Sequence, residues 1–133
     1  MKFAVDTSFL IGLFTSDKKM LLAKDLFYKL KEKREKVFVP IQTISEVVEV
    51  LEDKYKLNRQ TIYNYIIAIL SNYVFYIEKG DYFYRVIELY KKNPSIDIKK
   101  IMIAEETRDR KINKIITMDK SFEKLNISII KNI

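Results

Sequence analysis

Five short apolar runs punctuate this chain: "KFAV" at 2–5, "VFVP" at 37–40, "YVFYI" at 73–77, "KIIT" at 114–117 and "ISII" at 127–130. Runs of four or five mostly apolar, β-branched or aromatic residues are too short to be helices. Without polar alternation they suit strands covered on both faces. Most of the sequence between them has helical spacing instead. Leu22, Ala23, Leu26, Phe27 and Leu30 form a stripe within 17–33, and Ile41, Ile44, Val48, Leu51 and Tyr55 form another after Pro40 stops the second strand. A further helix is expected over 59–72. Phe83, Val86, Ile87 and Tyr90 mark one that ends at "KKNPS", and another runs from about 97 to 110. The short segment "KSFEKL" separates the last two strands. Strands alternating with helices predict an α/β fold with a parallel sheet.

At 133 residues, with no repeat, no linker and no Pro/Gly/Ser-rich boundary, the chain is expected to form a single domain over 1–133. No apolar window is long enough to cross a bilayer, and the amino terminus lacks the order of a secretion signal, so the expected location is the cytoplasm. The chain contains neither His nor Cys. That excludes a Ser-His-Asp triad, a Cys-His pair and thiolate or imidazole zinc sites, and leaves acid chemistry to Asp and Glu. A net charge of +7 suits a polyanionic partner such as nucleic acid, although a solvated, Lys-rich face would give the same number.

The placement of the acids is the more specific signal. Ligands of open parallel sheets gather at the carboxyl ends of the strands. Asp6 directly follows the first strand, and Asp119 lies two residues beyond Thr117 at the end of the fourth. Glu46 sits in the second turn of the helix entered from the second strand. Asp97 opens the helix before the fourth strand, whose amino terminus should lie at the same edge. Clustered carboxylates repel one another unless protonated or bound to a cation, and an all-oxygen set favours a hard ion, Mg²⁺ or Mn²⁺. Each acid also has an ordinary reading: Asp6 as an N-cap, Glu46 as a solvated helix acid, Asp97 as a first-turn carboxylate and Asp119 as a turn residue.

"VDTSFLIGLF" at 5–14, "ISEVVEVL" at 44–51 and "IITMDKSFEKL" at 115–125 together resemble the PIN domain, especially the VapC-type ribonuclease toxins of toxin-antitoxin pairs. The resemblance runs over nearly the whole chain. It implies a three-layer α/β/α fold with strand order 3-2-1-4-5, a divalent-metal-dependent endoribonuclease activity on RNA, a homodimer, and an antitoxin partner. By position Asp6, Glu46 and Asp119 match the family's acids, while Thr7 or Ser8 and Thr117 match its polar supporting places. Hydroxyls there can orient carboxylates, or can simply satisfy local backbone.

The third acid departs from the family pattern. In "DIKKIMIAEE" (97–106) Lys100 stands close to the register usually held by Asp, and Asp97 lies about one turn earlier on the stripe of Ile101 and Ala104. Asp97 is taken as the third ligand. Glu105 is held in reserve, because an unpaired acid among Ile98, Ile101 and Met102 would be costly. If Asp97 does not reach the ion, Lys100 competes with it and the site is weakened. Lys18, Lys19, Lys99, Lys100 and Lys120 are the candidate phosphate contacts.

Two other function classes compete with a nuclease. One is a catalytically weakened or inactive module on the same fold that binds RNA or protein. The other is a phosphoryl-transfer domain, which the sequence fits poorly: Ser8 stands where a dehalogenase-like phosphatase needs a second Asp, and Glu78 and Asp81 are a poor match to a receiver's acids.

Overall fold

The computed structural model describes residues 1–15 and 18–132, with the backbone alone at Lys19. The chain divides into two compact units, Met1–Gly80 and Asp81–Ile133. The first contains β1 (Phe3–Ala4), α1 (Thr7–Gly12), α2 (Lys18–Glu32), β2 (Val37–Phe38), α3 (Ile41–Asp53), α4 (Arg59–Ser71) and β3 (Phe75–Tyr76). Its strands form a parallel sheet in the order β1-β2-β3, with Phe3 opposite Val37 and Val37 opposite Phe75. Helical crossovers are what parallel neighbours require, and each strand here is followed by two helices before the next.

Burial explains the order of elements. Val37, Val39, Ile44, Val47, Val48, Leu51, Ile62, Ile66 and Val74 are all fully buried, so β2, α3 and α4 form the centre of this unit. Pro40 precedes α3, where its missing N–H costs no helical bond, and Asn58 caps α4 by accepting from the Thr61 amide at 2.8 Å.

The second unit carries α5 (Gly80–Lys92), α6 (Ile98–Asp109), β4 (Lys114–Ile116), a 3₁₀ helix (Lys120–Leu125) and β5 (Ser128–Ile130). β4 and β5 pair in parallel, with Lys114 opposite Ser128 and Ile116 opposite Ile130. Phe83, Val86, Ile87, Tyr90, Ile96, Ile98, Ile101, Ala104, Phe122 and Leu125 are buried. The fold class is α/β with parallel strands, and β3-β2-β1 and β4-β5 are neighbour sets of the 3-2-1-4-5 order.

Two expectations need correction. The stripe expected to bury α2 does so only in part: Ala23 is buried, Phe27 stacks on Phe75 and Leu30 is half-buried, but Leu22 and Leu26 are 64% and 43% exposed. α2 packs against α1, and its Leu21, Leu22 and Leu26 are turned to solvent. The strands are also shorter and less covered than all-apolar runs suggest, with Phe3 and Ile116 exposed. β1 and β4 each pair on one side only within their units' sheets. The helix expected over 17–33 is observed from Lys18 to Glu32, and Asp17 lies outside the described residues.

Four chain reversals use a left-handed residue other than glycine: Arg34, Lys56, Lys111 and Asn126, with φ between 54° and 61°. Each follows a helix whose end is closed by an amide reaching back five or six residues: Glu35 to the Leu30 carbonyl, Leu57 to Leu51, Ile112 to Thr107 and Ile127 to Phe122.

Candidate active site

In the first unit the chain leaves β1 at Asp6 in an extended conformation and turns at once into α1. The Asp6 carboxylate makes that turn possible: its Oδ1 accepts from the Phe9 amide at 3.2 Å and from the Ser8 hydroxyl at 2.7 Å. These donors, the Ser8 hydroxyl foremost, hold the Asp6 carboxyl below the ordinary carboxylate range. The next residue reaches a different element. Thr7 Oγ1 donates to Glu46 Oε2 on α3 at 2.7 Å, across 39 residues of sequence. Consecutive hydroxyls thus serve the two acids, Ser8 on Asp6 and Thr7 on Glu46.

α1 is only six residues long, too short to be stable alone, and the tertiary structure fixes it. The hydroxyl of half-buried Tyr65, on α4, donates to the Leu10 carbonyl, and the Tyr65 ring meets Phe14 edge-on with centroids 4.9 Å apart. Burial pushes the Tyr65 phenol well up, so it remains a donor. α1 also packs on α3, which brings Thr7 to Glu46.

In the second unit Asp97 is the N-cap of α6, with Oδ1 accepting from the Lys99 amide at 2.7 Å. It is exposed, while Ile101 and Ala104 of the same stripe are buried. Asp119 caps the 3₁₀ helix through Oδ1, which accepts from the Ser121 amide at 2.8 Å, and its own amide donates to Thr117 Oγ1 at 3.0 Å. Its other oxygen, Oδ2, is ion-paired with Lys100 Nζ. The Lys100 ammonium foremost, and then the Ser121 amide, hold Asp119 far below the ordinary carboxylate range.

The reserve acid has a different occupation. Glu105 is 5% exposed, with Oε1 3.2 Å from Arg108 Nη2 and Oε2 3.5 Å from Arg85 Nε. Arg108 also donates to the Leu125 carbonyl and Arg85 to Asp109 at 2.6 Å, so this carboxylate ties α5, α6 and the 3₁₀ helix together. It belongs to a structural network, and its cost of burial is met by the two guanidinium groups. The (i, i+3) spacing of Glu105 and Arg108 was a visible signal for half of it; Arg85 lies too far away in sequence to have been found that way. Of the candidate phosphate contacts, Lys18, Lys99 and Lys120 are exposed and Lys100 is paired with Asp119. The side chain of Lys19 lies outside the described residues.

Carboxylate oxygens without nitrogen or sulfur donors suit a hard divalent ion. The hydroxyl-oriented pair Asp6 and Glu46 fits that chemistry, and Asp119 fits it once Lys100 gives way. Among the described residues, neither unit gathers three acidic side chains into a group that could hold a metal ion.

The model of the PIN domain family matches residues 3–127, the stretch that carries all of these acids. The chain belongs to the PIN domain family. This PIN domain is similar to a VapC ribonuclease of Aquifex aeolicus (strain VF5), with 29% identity over 129 residues, covering 95% of this chain and 93% of that protein. Among solved structures it aligns with Mycobacterium tuberculosis VapC20, a Sarcin-Ricin loop cleaving toxin. That alignment has 18% identity and a TM-score of 0.45, over 95% of this chain and 96% of the other.

Proposed function

We propose that this PIN domain, a single domain over residues 1–133, is a divalent-metal-dependent endoribonuclease and the toxin of a toxin-antitoxin pair, acting in the cytoplasm. The observation that carries the proposal is the Asp6–Ser8 and Thr7–Glu46 arrangement. Two acids far apart in sequence are each oriented by a hydroxyl, where an ordinary N-cap needs only the bond from the Phe9 amide to Asp6. Family membership and likeness to a VapC ribonuclease support the same reading.

Each residue has a role in this proposal. Asp6, Glu46, Asp97 and Asp119 supply oxygens to Mg²⁺ or Mn²⁺. Ser8 and Thr7 hold the first two in orientation, and Thr117 shapes the turn that presents Asp119. The ion, when bound, supplies Lewis-acid activation of water and neutralises charge on the scissile phosphate. Lys18, Lys19, Lys99 and Lys120 contact RNA phosphates, which positions the strand without reading its sequence. Leu21, Leu22, Leu26 and Tyr28 are exposed on α2 and provide apolar surface for an antitoxin or a second copy of the chain.

The test is cleavage of a structured RNA with Mn²⁺ present and after chelation. Wild type cleaves only with the metal, and Asp6→Asn, which keeps the cap acceptor, loses at least about a hundredfold in rate while retaining its circular dichroism spectrum. Full activity in that variant refutes the assignment. The Lys100–Asp119 pair favours a second reading, a weakened or inactive module that binds RNA without cutting it. That reading predicts salt-dependent RNA retention and no cleavage at any metal concentration.

A further inference from the structure

We infer that Lys100 is an internal counter-ion of Asp119 that sets how tightly a divalent ion can use this acid. The inference rests on the metal-dependent reading above and concerns its regulation by a residue of the chain itself. The ammonium of Lys100, from the first turn of α6, is seated on Asp119 Oδ2, while Oδ1 takes the Ser121 amide. Both oxygens of Asp119 are therefore engaged from two directions, one by a full positive charge.

The geometry is built locally. Asp97 caps α6 and accepts from the Lys99 amide, and its carbonyl accepts from the Lys100 amide at 3.1 Å, which fixes the turn from which the Lys100 side chain departs. Asp119 is held by its own cap and by Thr117. Neither partner is deeply buried: the Lys100 and Asp119 side chains are 42% and 34% exposed, so the pair is solvated and can open. A divalent ion approaching Asp119 has to displace an ammonium from one oxygen, and the displaced charge stays nearby. Lys100 thereby makes metal binding a competition, and metal concentration or a bound RNA phosphate that draws the ammonium away shifts the balance toward the loaded site.

The test is Mn²⁺ binding to the full chain, followed by the electron paramagnetic resonance of free Mn²⁺, for wild type, Lys100→Met, Lys100→Arg, Asp119→Asn and the Lys100→Met/Asp119→Asn double variant. Loss of the pairing and of cation–cation repulsion in a solvated site predicts about tenfold tighter binding in Lys100→Met. Lys100→Arg keeps the charge and stays near wild type. In the Asp119→Asn background the methionine substitution brings little gain, because the acid it would release is gone. Equal affinities for wild type and Lys100→Met overturn the inference, and so does an equal gain in both backgrounds. If Lys100→Met leaves Mn²⁺ affinity unchanged while Asp6→Asn abolishes metal-dependent cleavage, the inference fails and the ribonuclease reading stands. If no variant binds Mn²⁺ and none cleaves RNA, both fail.

Discussion

Asp6 shows how one side chain serves folding and chemistry together. Its carboxylate caps α1, as three of the four candidate acids cap the helix that follows them, and the same donors that satisfy the cap keep it ionised. Because its folded value lies below its unfolded one, the folded chain binds this proton less tightly than the unfolded chain. The resulting stabilisation is complete above the unfolded carboxyl value of about 4 and is lost as pH falls through the folded value. Urea unfolding between pH 6 and pH 2 should therefore show a shallower acid loss for Asp6→Asn than for wild type, and superimposable curves would contradict the cause given for the shift. Thr7 has no comparable duty to the backbone. Thr7→Val should leave the fold intact and lower metal-dependent cleavage by about ten- to a hundredfold, the usual cost of losing a residue that orients a ligand. Steady-state rates beside thermal melts check it.

Among the elements, the helix ends carry the clearest stability prediction. Lys56 and Lys111 occupy the left-handed region with exposed side chains, at the ends of α3 and α6, where a β-carbon is strained and glycine is not. Lys56→Gly and Lys111→Gly should each stabilise the chain by about 0.5–1 kcal/mol, read as a higher urea midpoint at unchanged slope. The sequence has only 2 glycines, so the usual mark of a helix end is missing at these positions and nothing local announces them. α1 was equally hard to read. A helix at Thr7–Gly12 entered the sequence reading only through the alternative of Asp6 as an N-cap, and it is that cap and the Tyr65 bond to Leu10 that make it a helix. By contrast α3, α4 and α5 were legible, because Ile44, Val48 and Leu51, or Phe83, Val86, Ile87 and Tyr90, repeat at helical spacing and are buried as that spacing requires.

For the whole molecule, a net charge of +7 predicts that RNA binding weakens as salt rises, with log affinity falling linearly in log salt concentration. Filter binding of a metal-free Asp6→Asn variant isolates that term from cleavage, and an affinity indifferent to salt would argue that the lysines merely solvate the surface. No helix among the described residues is long and apolar enough to cross a membrane. What could be read from residue order alone was whatever depends on near neighbours: the alternation of strand and helix, the absence of imidazole and thiol chemistry, and the acids standing just after strands or just before helices. Tertiary structure decided the rest. Thr7 meeting Glu46 across 39 residues, Lys100 settling on Asp119, and Glu105 turning from a possible ligand into an anchor for Arg85 and Arg108 all depend on which helix packs on which. Periodicity states which face of a helix is apolar but is silent on the partner that face will meet, and the charge of a carboxylate is only as available as its nearest cation allows.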